Sequence, residues 1–242
     1  NHRIQKFTSE GVFVSKWGTE GSGDGELQAP NDVAVASDGS VYVADYHNRR
    51  IQKFTSEGVF VSKWWTEETG AHLFVSPQGV AVASDGSVYV ADTDYPQIRK
   101  FTSEGVFVTE WGAYGEGEGE FNWPWGIAVA PDGSVYVADT SNSRIQKFTS
   151  EGVFVSQWGT EGSAPEYPMG VAVAFDGSVY VADMTNNWIQ KFTSEGVFVS
   201  QWGTEGSGDG EFNWPQGVAV ASDGSVYVSE SGNRIQKFLP GN

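Results

Sequence analysis

The chain is expected to be an all-β propeller of five four-stranded antiparallel blades, and three observations carry that expectation. A unit of 47 residues recurs, every copy holds four short runs of strand-forming residues, and no stretch has the period of an amphipathic helix. Ser-Asp-Gly-Ser-Val-Tyr-Val-Ala-Asp at 37–45 returns at 84–92, 131–139, 175–183 and 222–230 with few changes, its glycines 47, 47, 44 and 47 residues apart.

The strands follow in order from their residues. Strand a (Gly-Val-Ala-Val-Ala) and strand b (Ser-Val-Tyr-Val-Ala-Asp) are apolar on both faces, as inner strands sandwiched between blades must be. Strand c (Arg-Ile-Gln-Lys-Phe) begins at Arg3, Arg50, Arg144 and Arg234, as Trp-Ile-Gln-Lys-Phe at Trp188 and reordered as Gln-Ile-Arg-Lys-Phe at Gln97. Strand d (Gly-Val-Phe-Val-Ser-Lys-Trp and variants) follows a Thr-Ser-Glu-Gly turn. Asp-Gly between a and b, and Ser-Glu-Gly between c and d, supply the glycine that a tight hairpin with positive φ needs. Leucine-rich, helical-solenoid and β-helix repeats do not fit this pattern. There are five copies each of a, b and d but six of c, so the chain opens with c and d and closes with a, b and c. The expected closure is a single domain, 1–242, in which the N-terminal d strand (Val12 to Trp17) pairs with the C-terminal blade and the spare Arg3 to Phe7 strand adds outside it.

These units resemble the NHL-repeat family. The resemblance rests on Asn1-His2-Arg3-Ile4, Asn48-Arg49-Arg50-Ile51 and Asn233-Arg234-Ile235 before strand c, and on Pro-x-Gly before strand a at Pro77, Pro124, Pro168 and Pro215, where the first copy has Asp32 in place of the glycine. It implies a propeller, more often six-bladed, so a six-bladed or strand-swapped assembly is the alternative. It also implies a binding platform rather than any particular activity.

Composition narrows the function classes. With 14 basic against 31 acidic residues, a formal charge of −17 and no cysteine, the chain lacks the basic face a polyanion needs and has no thiolate chemistry. Apolar runs of four or five residues are far below the roughly 20 that span a bilayer, so nucleic acid and membrane insertion are not expected. Three histidines, His2, His47 and His72, stand in different units without a nucleophile motif. Some six-bladed relatives are hydrolases or lyases with histidine and acidic metal ligands, and no such cluster is visible here. Hence no enzymatic activity, cofactor or metal is expected. The acids ending strand b (Asp45, Asp92, Asp139, Asp183, Glu230) are too sparse for calcium, and are read as closing their own b–c turns on backbone N–H groups.

Antiparallel geometry puts the a–b and c–d turns at one end of a blade and the b–c and d–a loops at the other. The first set is nearly invariant among the copies and the second is diversified, the arrangement of a rigid scaffold carrying a recognition surface. Trp17, Trp64, Trp111, Trp158 and Trp202 recur in every strand d and are assigned to packing. The candidate ligand-binding residues are those on the variable loops. Asn31, Gln78, Trp125, Met169 and Gln216 follow the prolines at the mouth of a central channel, Tyr46 and Met184 follow the strand-b acids and flank it, and His47, Tyr95, Tyr167 and Trp188 stand on the same variable loops. Trp123 and Trp214 share one repeat position and serve packing and binding readings equally; Trp65, His72 and Tyr114 lie on the same loops. The expected role is non-enzymatic recognition of a peptide or protein by a monomer. A lectin-like carbohydrate site and an amplified or engineered scaffold without a specific ligand are the alternatives.

Overall fold

A computed structural model describes residues 1–64, 74–159 and 165–240. Its strands are β1 (Ile4–Phe7), β2 (Phe13–Trp17), β3 (Pro30–Val35), β4 (Val41–Asp45), β5 (Arg50–Phe54), β6 (Phe60–Trp64), β7 (Pro77–Val82), β8 (Val88–Asp92), β9 (Gln97–Phe101) and β10 (Phe107–Trp111). There follow β11 (Pro124–Val129), β12 (Val135–Asp139), β13 (Arg144–Phe148), β14 (Phe154–Trp158), β15 (Pro168–Val173), β16 (Val179–Asp183), β17 (Trp188–Phe192), β18 (Phe198–Trp202), β19 (Pro215–Val220), β20 (Val226–Glu230) and β21 (Arg234–Phe238). Among the described residues helix is limited to single 3-10 turns at Tyr46–Asn48 and Thr140–Asn142.

The architecture is that of an all-β propeller with five blades, each founded on its own a–b hairpin. β3–β6, β7–β10, β11–β14 and β15–β18 are four-stranded meanders, and β19–β21 is a three-stranded fifth blade. β1 and β2 pair in a two-stranded sheet, so the N-terminal copy of strand c lies beside its own strand d. The turn Thr8–Gly11 joins them, a short loop of low closure entropy.

Two compact units are present, Asn1–Thr109 and Glu110–Asn242, with the boundary inside β10. In the first, Tyr42, Ala44, Ile51 and Trp64 of one blade pack on Phe74, Val80, Val88, Val90 and Phe101 of the next. The second repeats the scheme, Tyr136, Ala138 and Ile145 meeting Val171, Val179, Val181 and Phe192. Strand a starts at its proline, two residues earlier than the apolar run implies. Proline is admissible as the first residue of a strand, and the register shifts just after it.

The invariant turns are explained by what they touch. Asp38 accepts the Ser40 N–H at 2.8 Å, which holds its carboxyl below the usual range, and Gly39 sits at φ +86°. At the c–d turn a Cβ on Gly58 would lie 2.5 Å from the Trp17 ring, and one on Gly196 would lie 2.5 Å from that of Trp158. Trp17, Trp64, Trp111 and Trp158 each lie under the c–d turn glycine of the following blade, which demands glycine for space as well as for its positive φ. Among the described residues no helix is long and apolar enough to cross a membrane.

Candidate functional site

The variable loops are built on a polar hub at the end of strand b. Asp45 is fully buried and accepts the Gln28 N–H (2.6 Å), the Asn48 amide (2.9 Å), Arg50 Nε (2.7 Å) and Gln52 Nε2 (3.1 Å). Arg50 donates onward to the carbonyls of Ser22 (2.7 Å), Gly23 (2.9 Å) and Glu26 (2.7 Å). Thus the d–a loop is wound around an arginine that strand c presents and strand b neutralises. The same hub recurs at Asp139 with Asn122, Asn142, Arg144 and Gln146, and at Glu230 with Asn213, Arg234 and Gln236. Burial raises the carboxyls of Asp92 and Asp139, against the pull of the surrounding N–H donors. At Glu230 burial also pushes upward, but Arg234, the Asn213 N–H and Gln236 outweigh it and the net shift is down. These acids tie the d–a entry to the b–c turn rather than closing their own turns alone.

Arginine at the hub accompanies the long glycine-rich loop. The three copies with Gly-x-Gly-x-Gly-Glu have Arg50, Arg144 or Arg234; of the other two, one exchanges arginine and glutamine (Gln97, Arg99) and the other has Trp188. The repetition of Arg and Gln two residues apart on strand c is a signal for this hub that reading strand by strand misses.

Contacts confirm within each blade that unlike loops meet at one end. The His47 N–H donates to the Gln28 carbonyl (3.1 Å), Thr93 to Ser76 (3.0 Å), Met184 to Tyr167 (3.1 Å) and Ser231 to Trp214 (3.2 Å). The opposite end brings Gly39 beside Ser56 and Gly133 beside Ser150.

Not every residue expected at the site is displayed there. Gln78 and Met169 are buried, at 6% and 4% exposure, because adjacent a strands close over them. A Cβ on Gly126 would lie 2.3 Å from the Met169 carbonyl, and one on Gly170 would lie 2.6 Å from that of Gln216, which is why Pro-x-Gly ends in glycine. Trp188 takes the place of the hub arginine, its indole N–H donating to Asp183 at 3.2 Å. In the first unit Asn31 is exposed and its amide donates to the Gln78 carbonyl (3.1 Å). Tyr46 and His47 form a tilted ring pair 4.7 Å apart on a 3-10 turn, and Tyr95 is exposed with the Arg99 guanidinium 5.7 Å from its ring centre. In the second unit Trp123 and Trp214 are 47% and 56% exposed, Gln216 is exposed, and Trp125, Tyr167 and Met184 are partly exposed. Trp65 and His72 lie outside the described residues. Among the described residues no group of three His, Cys, Asp or Glu side chains could hold a metal ion.

The backbone under the two exposed tryptophans was not foreseen. Trp123 and Trp214 have φ of +57° and +55°, a left-handed conformation that bulky side chains rarely adopt. The first unit has Ala29 at the equivalent place, φ +51°. A residue of the preceding b–c turn secures it: the Ala29 N–H donates to His2 Nδ1 (3.1 Å) and the Trp214 N–H to Asn187 Oδ1 (2.8 Å).

Comparison with known proteins agrees with this geometry. The NHL repeat profile matches at residues 27–54, 74–101, 121–148 and 212–238, and the copy with Trp188 at its hub lies outside these matches. No curated protein matches the chain in sequence. Similar solved structures include a virginiamycin B lyase from Staphylococcus aureus (16% identity, TM-score 0.61, 88% of this chain and 70% of that one) and a streptogramin B lyase (17%, 0.64, 88% and 69%). A protein of unknown function from Bacteroides caccae is similar too, with 14% identity, a TM-score of 0.68, and coverage of 96% and 81%. At such identities the likeness is one of fold. It corrects the expectation that the chain is not an enzyme: lyases are built on this same architecture, so a propeller of scattered histidines does not exclude catalysis.

Proposed function

We propose, for a chain that belongs to the NHL-repeat β-propeller family, that it is a binding platform recognising a peptide or protein through its b–c and d–a loops. The observation that carries this reading is the contrast between the two layers of the loop end. Beneath, the acid, arginine and glutamine hub is repeated and buried; above, the side chains differ from copy to copy and include half-exposed tryptophans. Exposed Trp and Tyr on a rigid base are the residues that dominate recognition energetics. NHL propellers commonly bind proteins, and the second unit's display of Trp123, Trp125, Tyr167 and Trp214 favours one asymmetric contact over identical small sites repeated in every blade.

Site-specific photo-cross-linking tests it. A photoreactive phenylalanine analogue at Trp125 is expected to trap a discrete protein partner from native extract, whereas the same group at Val153, at the opposite end of its blade, is expected to trap none. Cross-links from Val153 alone would overturn the reading.

A further inference from the structure

The second unit carries aromatic side chains at one repeat position in three successive blades. Trp123, Tyr167 and Trp214 each stand immediately before the first proline of strand a. Their carbonyls are pinned alike, accepting the N–H of Thr140 (3.3 Å), Met184 (3.1 Å) and Ser231 (3.2 Å). The three a strands pack side by side, with backbone in contact at Gly126 and Gly170, so the rings form an arc stepping by one blade. Sheets stacked face to face repeat at about 10 Å, which bounds that step. The first unit has Ala29 and Ser76 at this position and no such arc.

Two features separate the arc from ordinary packing. Trp123 and Trp214 adopt left-handed backbone, which glycine or asparagine takes with less strain, yet each residue is about half exposed. The neighbouring Asn122 and Asn213 side-chain amides make no hydrogen bond among the described residues. Rings in a row with free amide donors beside them fit an extended chain whose carbonyls are unpaired. A polyproline II helix has that character: it lacks internal hydrogen bonds and repeats about every 9 Å, close to the blade step.

Charge fixes the rest of the partner. The loops around the arc carry Glu116, Glu118, Glu166, Glu205 and Asp209, all exposed, whereas Arg144 and Arg234 are held in the hubs. Lys147 lies at the other end of its blade, donating to the Ser194 carbonyl (3.1 Å). We infer that the arc Trp123, Tyr167, Trp214 docks a proline-rich, polyproline II segment bearing basic residues. This rests on the peptide-binding reading above and narrows it.

The test titrates the whole chain with a synthetic peptide of consecutive prolines flanked by arginines, following tryptophan fluorescence and calorimetry. Controls are a Gly-Ser peptide with the same arginines, the proline peptide flanked by glutamates, and a chito-oligosaccharide. Saturable binding of the first peptide alone is expected. Trp123→Asn with Trp214→Asn, which suits left-handed backbone and is expected to fold with an undiminished melting temperature, should weaken it at least about tenfold. Unchanged affinity in that variant, equal binding of the Gly-Ser peptide, or preference for the saccharide would overturn the inference. If cross-linking at Trp125 still traps a protein when the proline peptide does not bind, the narrower claim falls and the broader one stands.

Discussion

Asp32 replaces the glycine of Pro-x-Gly in the first complete blade, and the substitution changes what joins two neighbouring a strands. Where Gly126 and Gly170 let backbones touch, the Asp32 carboxylate accepts the Val80 N–H across the interface at 2.9 Å and the Val33 N–H at 2.8 Å. Burial between the strands raises its pKa from 3.8 to about 6, the two N–H donors opposing the rise. A carboxyl whose folded pKa lies above its unfolded value favours the folded state fully below about pH 4, and that favour is lost as pH rises through about 6. Partial solvent access limits the effect to the order of 1–3 kcal/mol. Thermal melts of Asp32→Asn are therefore expected to show a smaller loss of stability between about pH 5 and 7.5 than the parent. Parallel profiles for both proteins would refute the assignment. Nothing in the sequence marks Asp32 beyond its departure from the repeat, because a raised pKa depends on the strand that packs across it.

The blade is the element whose stability comes from its neighbour. Ile51, Ile145 and Ile189 on strand c are fully buried, while Ile235, the same residue in the last blade, is 63% exposed. The difference is the face of a following blade, since Ile145 packs in one cluster with Val171, Val179 and Val181. Ile145→Ala is thus expected to cost about 2–5 kcal/mol and Ile235→Ala under about 0.5 kcal/mol, measured by urea denaturation. Comparable costs would show that Ile145 owes its burial to its own blade. This scale is also where the sequence was most legible. The 47-residue period, the two-sided apolar a and b strands and the strand-d tryptophans all name local or repeated needs, and the observed blades answer to them. What stayed hidden depends on approach between segments. The hub arginine's carbonyl partners lie more than 20 residues away, as Ser22 does from Arg50, and the left-handed φ of Trp214 goes with a hydrogen bond from its N–H to Asn187 Oδ1 in the preceding blade. Gln78 and Met169 read as a variable ring because they differ, yet their burial follows from strand-to-strand contact that residue identity does not reveal.

For the whole molecule the controlling quantity is charge. Thirty-one acidic side chains oppose fourteen basic ones, and the basic ones are largely spent: Arg50 and Arg144 are buried in hubs, Lys53, Lys147 and Lys191 lie over tyrosine rings. Of the glycine-rich-loop acids, Asp24 pairs with Lys63, but the excess of acidic over basic side chains leaves a formal net charge of −17 on the chain. Self-repulsion of that size destabilises the compact state more than the expanded one, and it is screened over about 10 Å at 0.1 M salt. The hubs are shielded from solvent and respond little to ionic strength, whereas the loop acids respond fully. Raising sodium chloride from about 20 mM to about 500 mM at neutral pH is accordingly expected to raise the melting temperature. The same change should weaken capture of a basic peptide, because screening acts in opposite senses on repulsion within the fold and attraction toward a cationic partner. A melting temperature that falls with salt would mean that the surface ion pairs, such as Lys63 with Asp24, outweigh the excess of negative charge.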